Sequence, residues 1–428
     1  MQVLVAGATG LIGSAVSARL RVESHNVIGL ARGPSGKTMH HARLVRADIA
    51  TMRSEADWLP LLANIDAVVN CAGILQDAPG ESTSGVHAEG VGALFRACAR
   101  IGIKRVIHLS AIGVERGAPT DFSRTKLEGD QALMALDLDW VILRPSVVVG
   151  RAAYGGSALF RGLAALPLFL KPPDTGSLQI VQLDEVVESI AFFLRDDAPS
   201  KVVLDVAGPE RLSFADVVSS YRQWFGWRPQ AIIDLPRFLA SGLYRSGDFL
   251  GLLGWRPPMR STAETEIRRG AIGDNRQWTE LTGIRPRPLE EALAAEPASV
   301  QEKWFARLYF LKALVLGVFA LFWIATGLIS LGPGWGIGME LMREGGVEGI
   351  GPLLIYAGAI SDIVIGLGIA FRRTARIALW AALGLSILYV VIGTILVPRL
   401  WADPLGPMLK IWPIMAFNLV ALAILDDR

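Results

Sequence analysis

Three glycines at a spacing of three, Gly7, Gly10 and Gly13, interrupt an apolar opening. The run before them, Gln2-Val3-Leu4-Val5-Ala6, reads as a buried strand, and Ser14 to Leu20 has helical periodicity. A strand, a tight glycine turn and a helix start, in that order, make a site for a dinucleotide's phosphates. Gly7 allows the sharp turn, Gly10 lets the backbone approach a pyrophosphate, and Gly13 permits close packing of helix on strand. Backbone amides around Thr9, Leu11 and Ile12 then meet the phosphates at the positive end of the helix. The segment is expected to hold NAD(P)(H).

The next strand should end beside the adenosine ribose, where a carboxylate would accept hydrogen bonds from the 2′-hydroxyl of NAD. Here it ends Gly29-Leu30-Ala31-Arg32, with Lys37 close behind and no carboxylate. Arg32 could pair with a 2′-phosphate through two parallel hydrogen bonds, so NADP(H) is the preferred cofactor and NAD(H) the alternative. The chain has two cysteines, Cys71 and Cys98, in patterns that read as buried structure. Neither a disulfide framework nor a metal site is expected.

Positioning these groups requires a sheet. Short apolar runs at His25 to Ala31, Arg43 to Ala47, Ala67 to Asn70, Lys104 to Leu109, Trp140 to Leu143 and Val202 to Val206 alternate with helical segments, notably His87 to Arg100 and Ser123 to Ala135. Strands separated by helices form a parallel sheet covered on both faces. The fold class is α/β, a doubly wound parallel Rossmann-type sheet followed by a four-helix transmembrane bundle. The domain boundaries read as 1–230 for the nucleotide-binding part, 231–303 for a substrate-side and linker segment, and 304–428 for the membrane part.

Over residues 1–230 the order of landmarks resembles the short-chain dehydrogenase/reductase superfamily, in its extended or atypical branch with Gly7-x-x-Gly10-x-x-Gly13 spacing. That branch includes the nucleotide-binding accessory subunit of respiratory complex I. The resemblance implies that Asp48 contacts adenine, that Asn70-Cys71-Ala72-Gly73 lines the cofactor, that Ser110 and Lys126 face the nicotinamide side, and that Pro145 of Arg144-Pro145 follows the sixth strand there. Active members carry Tyr-x-x-x-Lys, whose lysine lowers the tyrosine pKa and orients the nicotinamide ribose while the phenol exchanges a proton with the substrate.

This chain reads Phe122-Ser123-Arg124-Thr125-Lys126 instead, so the usual general acid is absent. Ser110 and Lys126 remain as candidate catalytic residues. Of six tyrosines, Tyr154 in Arg151-Ala152-Ala153-Tyr154-Gly155-Gly156 is the one a loop could bring over the nicotinamide. A hydride can also pass without an acid, to a quinone or another conjugated acceptor whose product oxygen takes a proton from water. Two functions follow: an oxidoreductase acting on a hydrophobic, quinone- or lipid-like substrate, or a catalytically impaired cofactor-binding scaffold or redox sensor of a membrane assembly. The apolar run at 155–176 favours a hydrophobic ligand over a sugar nucleotide. Leu235 to Trp255, apolar with Arg237, Arg245 and Asp248 interspersed, reads as an amphipathic helix on a bilayer surface, over the site, or in ordinary packing.

The 428 residues are too many for one compact core. A 52% hydrophobic fraction, with mean hydropathy +0.41, is concentrated after residue 305. Four apolar stretches, Phe305 to Leu331, Pro352 to Phe371, Ile377 to Val397 and Pro407 to Leu425, each approach the ~20 residues that cross a bilayer. These resemble a DoxX-like membrane domain.

Lys303, Arg307 and Lys312, which lead into the first stretch, and Arg372, Arg373 and Arg376, between the second and third, place both termini and the N-terminal domain on the cytoplasmic side of the inner or cytoplasmic membrane. The opening lacks a signal peptide, in keeping with that side. Asp362, mid-span, should face other helices, a cavity or a partner, or else be protonated, through a structural hydrogen bond between helices or in a proton- or quinone-handling role. A net charge of +2 without a basic block excludes a nucleic-acid surface. No protein partner is indicated.

Overall fold

The computed structural model describes residues 1–33, 40–117 and 119–425. Lys37 lies outside the described residues. The chain forms two compact units, Met1–Asp248 with Pro257–Ala306, and Phe249–Arg256 with Arg307–Arg428.

In the first unit, strands β1 (Gln2–Ala6), β2 (Asn26–Ala31), β3 (Arg43–Arg46), β4 (Ala67–Asn70), β5 (Arg105–Leu109), β6 (Asp139–Pro145) and β10 (Val202–Val206) form one parallel sheet in the order β10-β6-β5-β4-β1-β2-β3. Two parallel pairs lie outside it, β7 (Val147–Val149) with β9 (Ile180–Gln182) and β8 (Leu168–Lys171) with β11 (Ala231–Asp234). The chain reverses direction across the sheet between β1 and β4, the switch point where such folds bind ligands at the carboxyl ends of their strands.

Helices α1 (Leu11–Val22), α2 (Glu55–Leu62), α3 (Val91–Ile101), α4 (Asp121–Met134), α5 (Gly155–Ala165), α6 (Leu183–Phe193) and α7 (Phe214–Trp224) cover the sheets. Side-chain alternation feeds two cores: Val3 and Val5 of β1 pack with Val16, Leu20 and Ile190, whereas Leu4 and Ala6 pack with Trp58, Leu94 and Phe95. The helix expected from His87 begins as a π-helical turn, Gly85–Gly90, that runs into α3.

After α8 (Arg237–Leu252), the short helices α9 (Ser261–Arg269), α10 (Arg276–Thr282) and α11 (Leu289–Ala295) return to this unit. Trp278 of α10 is fully buried in the core with Ile190 and Phe193, and its indole N–H donates to Ser189 Oγ at 2.8 Å. Most of the segment expected to link the two parts thus packs onto the nucleotide-binding unit.

The second unit holds most of α12 (Val300–Leu331), with α13 (Trp335–Glu344), α14 (Gly351–Ala370), α15 (Ala375–Leu396) and α16 (Ile411–Ile424). Among the described residues three helical segments are long and apolar enough to cross a membrane: Val300–Leu331, Glu348–Ala370 and Ala375–Leu396. The fourth expected stretch differs. Its helix α16 has 14 residues, about 21 Å at ~1.5 Å per residue against ~30 Å of hydrocarbon. Residues 403–410 ahead of it are taken up by turns, so Pro407 to Lys410 add no helical length. Asp362 is buried and accepts a hydrogen bond from the Tyr389 hydroxyl at 2.9 Å, so α14 and α15 share the expected interhelical bond.

Candidate cofactor site

At the switch point, Gly7 has φ +75, a left-handed conformation that a side chain would strain, and a Cβ there would lie 2.8 Å from Ala72 N. A Cβ on Gly13 would overlap Gly7 O, so α1 sits as close to the turn as a backbone allows. Gly10 N donates to Gly7 O at 3.0 Å and closes the turn. Helix α1 begins at Leu11, and the amides of Leu11, Ile12 and Gly13 belong to a first turn whose donors have no intrahelical acceptor. Thr9 is exposed at the lip of this turn. Together these groups make a cradle for a diphosphate.

On the adenosine side, Asp48 ends the chain's run from β3 and caps the 3-10 turn Ile49–Thr51, its Oδ1 accepting from Ala50 N at 3.1 Å. Arg32, at the end of β2, is paired with Glu81 at 2.5 Å; its side chain is 43% exposed and that of Glu81 only 9%. A 2′-phosphate must therefore compete with a sheltered carboxylate for this guanidinium. The partner lies 49 residues away in sequence, on the loop after β4, where no local pattern announced it.

The side that the resemblance assigns to the nicotinamide is built from the ends of β4, β5 and α4. Lys126, 5% exposed, donates to Leu109 O at 2.8 Å and Ala72 O at 3.3 Å. Its ammonium is held between the strand ends beside Gly73, where a Cβ would lie 3.3 Å from Nζ. Burial lowers the Lys126 pKa to about 8 against the opposing pull of Asp130 and Cys71. Burial also pushes the Cys71 thiol up to about 12, so that group is an inert neighbour rather than a nucleophile.

Phe122 stands one helical turn before Lys126, half-buried, with its ring edge-on to His87 at 5.6 Å between centroids. His87 Nε2 accepts from Ile74 N at 3.0 Å and Nδ1 lies 2.9 Å from Thr125 Oγ1. Thr125 Oγ1 in turn donates to Asp121 O at 2.7 Å, which assigns the proton of His87 to Nδ1. Burial, with Lys126 and His108 nearby, holds the His87 pKa well below its ordinary value. A neutral imidazole with both nitrogens engaged cannot take over the phenol's proton transfer. Gly129 brings α4 this close, because a Cβ there would overlap His87 O. Sequence reading missed His87 as a neighbour of the site; the small residue one turn after Lys126 was the available signal.

Beneath these groups runs a buried polar chain. Asn70 Oδ1 accepts from Ala72 N at 3.2 Å and its Nδ2 is 2.9 Å from His108 Nδ1; His108 Nε2 lies 3.4 Å from Asp130 Oδ1. Arg144 donates through Nε and Nη2 to Asp130 Oδ2 at 3.0 and 2.9 Å and reaches Glu115 at 2.7 Å. Burial pushes the Asp130 carboxyl up, but His108 and Arg144 outweigh it and hold it below the usual carboxylate range. Asp130 is thus an anion paired with Arg144, and burial keeps His108 neutral. The chain fixes the Cys71-Ala72-Gly73 backbone and the end of β6, where Pro145 O accepts from Ile112 N at 3.1 Å.

Ser110 Oγ is buried and faces Asp130 without meeting a protein partner in hydrogen-bond geometry. An orphaned hydroxyl beside the lysine, and glycines where any Cβ would fill the cradle, fit a bound dinucleotide. Tyr154 caps α5 through its backbone and is 39% exposed; the hydrogen bonds of Lys126 go to Leu109 and Ala72, not to it. Of the apolar run at 155–176 expected to meet a substrate, the first half is consumed by packing: Phe160 is buried with its ring 5.0 Å from Phe214, and Leu159 and Leu163 are buried, whereas Leu170 further on is exposed.

Sheet order and site are those of an NAD(P)-binding Rossmann domain with a short-chain dehydrogenase/reductase-like fold, followed by a DoxX-like domain of apolar helices. Residues 7–160 match the family described as NAD(P)H-binding, and residues 320–419 match the DoxX-like family. An uncharacterised protein of Mycobacterium tuberculosis is 24% identical over 220 residues, 51% of this chain and 23% of its own length. The chain thus spans about a quarter of that curated relative. A 3-diazoavenalumate denitrifying reductase of a Streptomyces species is 25% identical over 310 residues, 64% of this chain and 93% of its own. In fold, UDP-glucuronic acid 4-epimerase from Bacillus cereus, solved with UDP-glucuronic acid and NAD, superposes with a TM-score of 0.53 at 20% identity, covering 72% of this chain and all of that one.

Proposed function

We propose that this protein is a membrane-anchored NAD(P)(H)-dependent oxidoreductase that delivers a hydride to a hydrophobic, conjugated acceptor rather than to a simple ketone. The observation that carries the reading is the pairing of a complete cofactor cradle and Lys126 with a phenylalanine at the proton-donor position. When bound, the nicotinamide supplies a hydride. The chain's residues do the rest: the amides of Leu11 to Gly13 hold the diphosphate, Asp48 faces the adenine, and Cys71, Ala72 and Gly73 wall the ribose. Lys126 orients the nicotinamide ribose, and Ser110 is free to donate a hydrogen bond to cofactor or substrate. Phe122 and Pro145 exclude water beside the ring. Proton delivery falls to solvent.

The Streptomyces relative, a reductase named for a diazo compound, is consistent with an acceptor other than a ketone. Arg32 favours NADP(H) once its pair with Glu81 is exchanged for the 2′-phosphate; otherwise NAD(H) binds. Residues 304–428 insert in the cytoplasmic membrane with Arg372, Arg373 and Arg376 inside, so the catalytic domain faces the cytoplasm.

The test uses full-length protein in lipid nanodiscs with NADPH or NADH and a panel of quinones and conjugated carbonyls. Cofactor oxidation dependent on one of these acceptors is expected. A second reading, a cofactor-binding scaffold or redox sensor, is favoured by the locked His87 beside Phe122. It predicts tight cofactor binding with no turnover on any acceptor.

A further inference from the structure

Helix α8 presents three faces at about 100° per residue. Ala240, Tyr244, Gly247 and Gly251 form a buried stripe; Gly247 is packed so closely that a Cβ would overlap Met259 O. A polar edge carries Arg237, which pairs with Asp174 at 3.0 Å, together with Ser241, Arg245 and Asp248, which pairs with Arg260 at 3.3 Å. The remaining arc, about 140° wide by the same spacing, holds Phe238, Leu239, Gly242, Leu243, Ser246, Phe249 and Leu250 and no charge. Its large side chains are bare: Phe238 is 74% exposed and Phe249 60%. A continuous apolar stripe of this kind is unusual on a surface that meets only water.

The end of this helix is tied to a membrane helix. Immediately beyond α8, Leu253 O accepts from Arg372 N at 3.0 Å, and the Trp255 indole donates to Ala370 O at 2.7 Å. The Arg372 guanidinium lies over the Trp255 ring, 5.7 Å from its centroid. Ala370 closes α14, and Arg372 and Arg373 follow at the point where the apolar span gives way to charge. Trp255 and Arg372 are the side-chain types that settle at a membrane–water interface. The last turn of α8, from Phe249, belongs to the same unit as α14 and lies at this boundary, and the arc runs back from it along one continuous helix.

We propose that the outward arc of α8 is a lipid-binding surface, embedded in the headgroup and upper acyl region of the bilayer that the C-terminal helices cross, with the polar edge of the helix turned to water. The proposal rests on membrane insertion of the C-terminal unit, and its test separates the two. Single cysteines are introduced into the full chain at Leu239→Cys and Ser246→Cys on the arc, Arg195→Cys on an exposed turn of the first unit, and Ile395→Cys on exposed α15. Each is labelled with an environment-sensitive fluorophore, with the wild-type chain as a blank for Cys71 and Cys98. The proteins are reconstituted into phosphatidylcholine–phosphatidylglycerol vesicles.

Nitroxide-labelled lipid is expected to quench the probes at 239, 246 and 395 several-fold more than the probe at 195, while aqueous iodide quenches 195 alone. Quenching at 395 with iodide-accessible probes at 239 and 246 overturns the proposal and leaves membrane insertion standing. Probes at 239 and 246 shielded from both quenchers also overturn it, because a second protein copy then covers the arc. No lipid quenching at 395 removes the insertion on which the proposal rests.

Discussion

The two ends of the cofactor cleft obey different rules. At the diphosphate end, Gly7, Gly10 and Gly13 meet the demands of backbone recognition, and a side chain at Gly7 or Gly13 would collide with main chain. At the nicotinamide end the lysine is present and well supported, but the group that should work with it is the hydrocarbon ring of Phe122. Holding a dinucleotide and moving a proton are separable tasks, and this chain is equipped for the first. The polar chain through Asp130 shows that the nicotinamide end is nonetheless built with care, since it buries an anion to fix the Cys71–Gly73 backbone.

The largest effect should come from breaking that support. Asp130→Ala strands Arg144 and His108 in the interior, and a loss of about 3–5 kcal/mol is expected, read as the thermal midpoint of the first unit. Glu115→Ala, whose carboxylate is 63% exposed, should cost at most about 1 kcal/mol on the same assay. Equal effects would show that the buried chain is not what shapes the nicotinamide end.

Next, Phe122→Tyr should raise reduction of a simple ketone by about a hundredfold, the lower range for one general acid, with little change in cofactor affinity. No gain would mean that His87 and Thr125 hold the ring out of reach of the reacting atom. On the opposite end, Gly13→Val should weaken dinucleotide binding by about 10- to 100-fold, because α1 must move off the turn; a fluorescence titration reads the dissociation constant. An unchanged constant would erase the contrast between the two ends.

Smaller effects refine the cofactor. Arg32→Ala should lower the preference for NADPH over NADH by about tenfold, whereas Glu81→Gln, which frees the guanidinium, should raise it. The smallest concerns pH. Burial depresses the Lys126 pKa to about 8, so the side chain is an ammonium below that value and loses a donor above it. Cofactor affinity should fall by a few-fold between about pH 7 and 9, at ~1 kcal/mol for one hydrogen bond, and Lys126→Met should flatten the profile.

The sheet and the diphosphate turn were legible because their signals are local. Val3 and Val5 alternate with Leu4 and Ala6, and the glycines follow at once. Lys126 was placed by its spacing from Phe122. What stayed hidden was set by contacts between distant segments. Glu81 claims Arg32 across 49 residues, and Asp130, an ordinary-looking residue on α4, becomes the centre of a buried network only when β5 and β6 lie beneath it.

The apolar run at 155–176 reads as ligand-facing, yet the side chains of its first half, Leu159, Phe160 and Leu163, are buried in the neighbouring core with Phe214. Hydrophobicity marks burial without naming what does the burying. The fourth apolar stretch shows the same limit, since composition gave its length and the turns at 403–410 gave the shorter helix.

One titration tests the central claim most directly: NADH and NADPH added separately to the full-length protein in nanodiscs, beside Gly13→Val. The account predicts saturable binding of at least one dinucleotide that the substitution weakens while the first unit stays folded. Absence of binding by both, in protein whose first unit unfolds cooperatively, would contradict it.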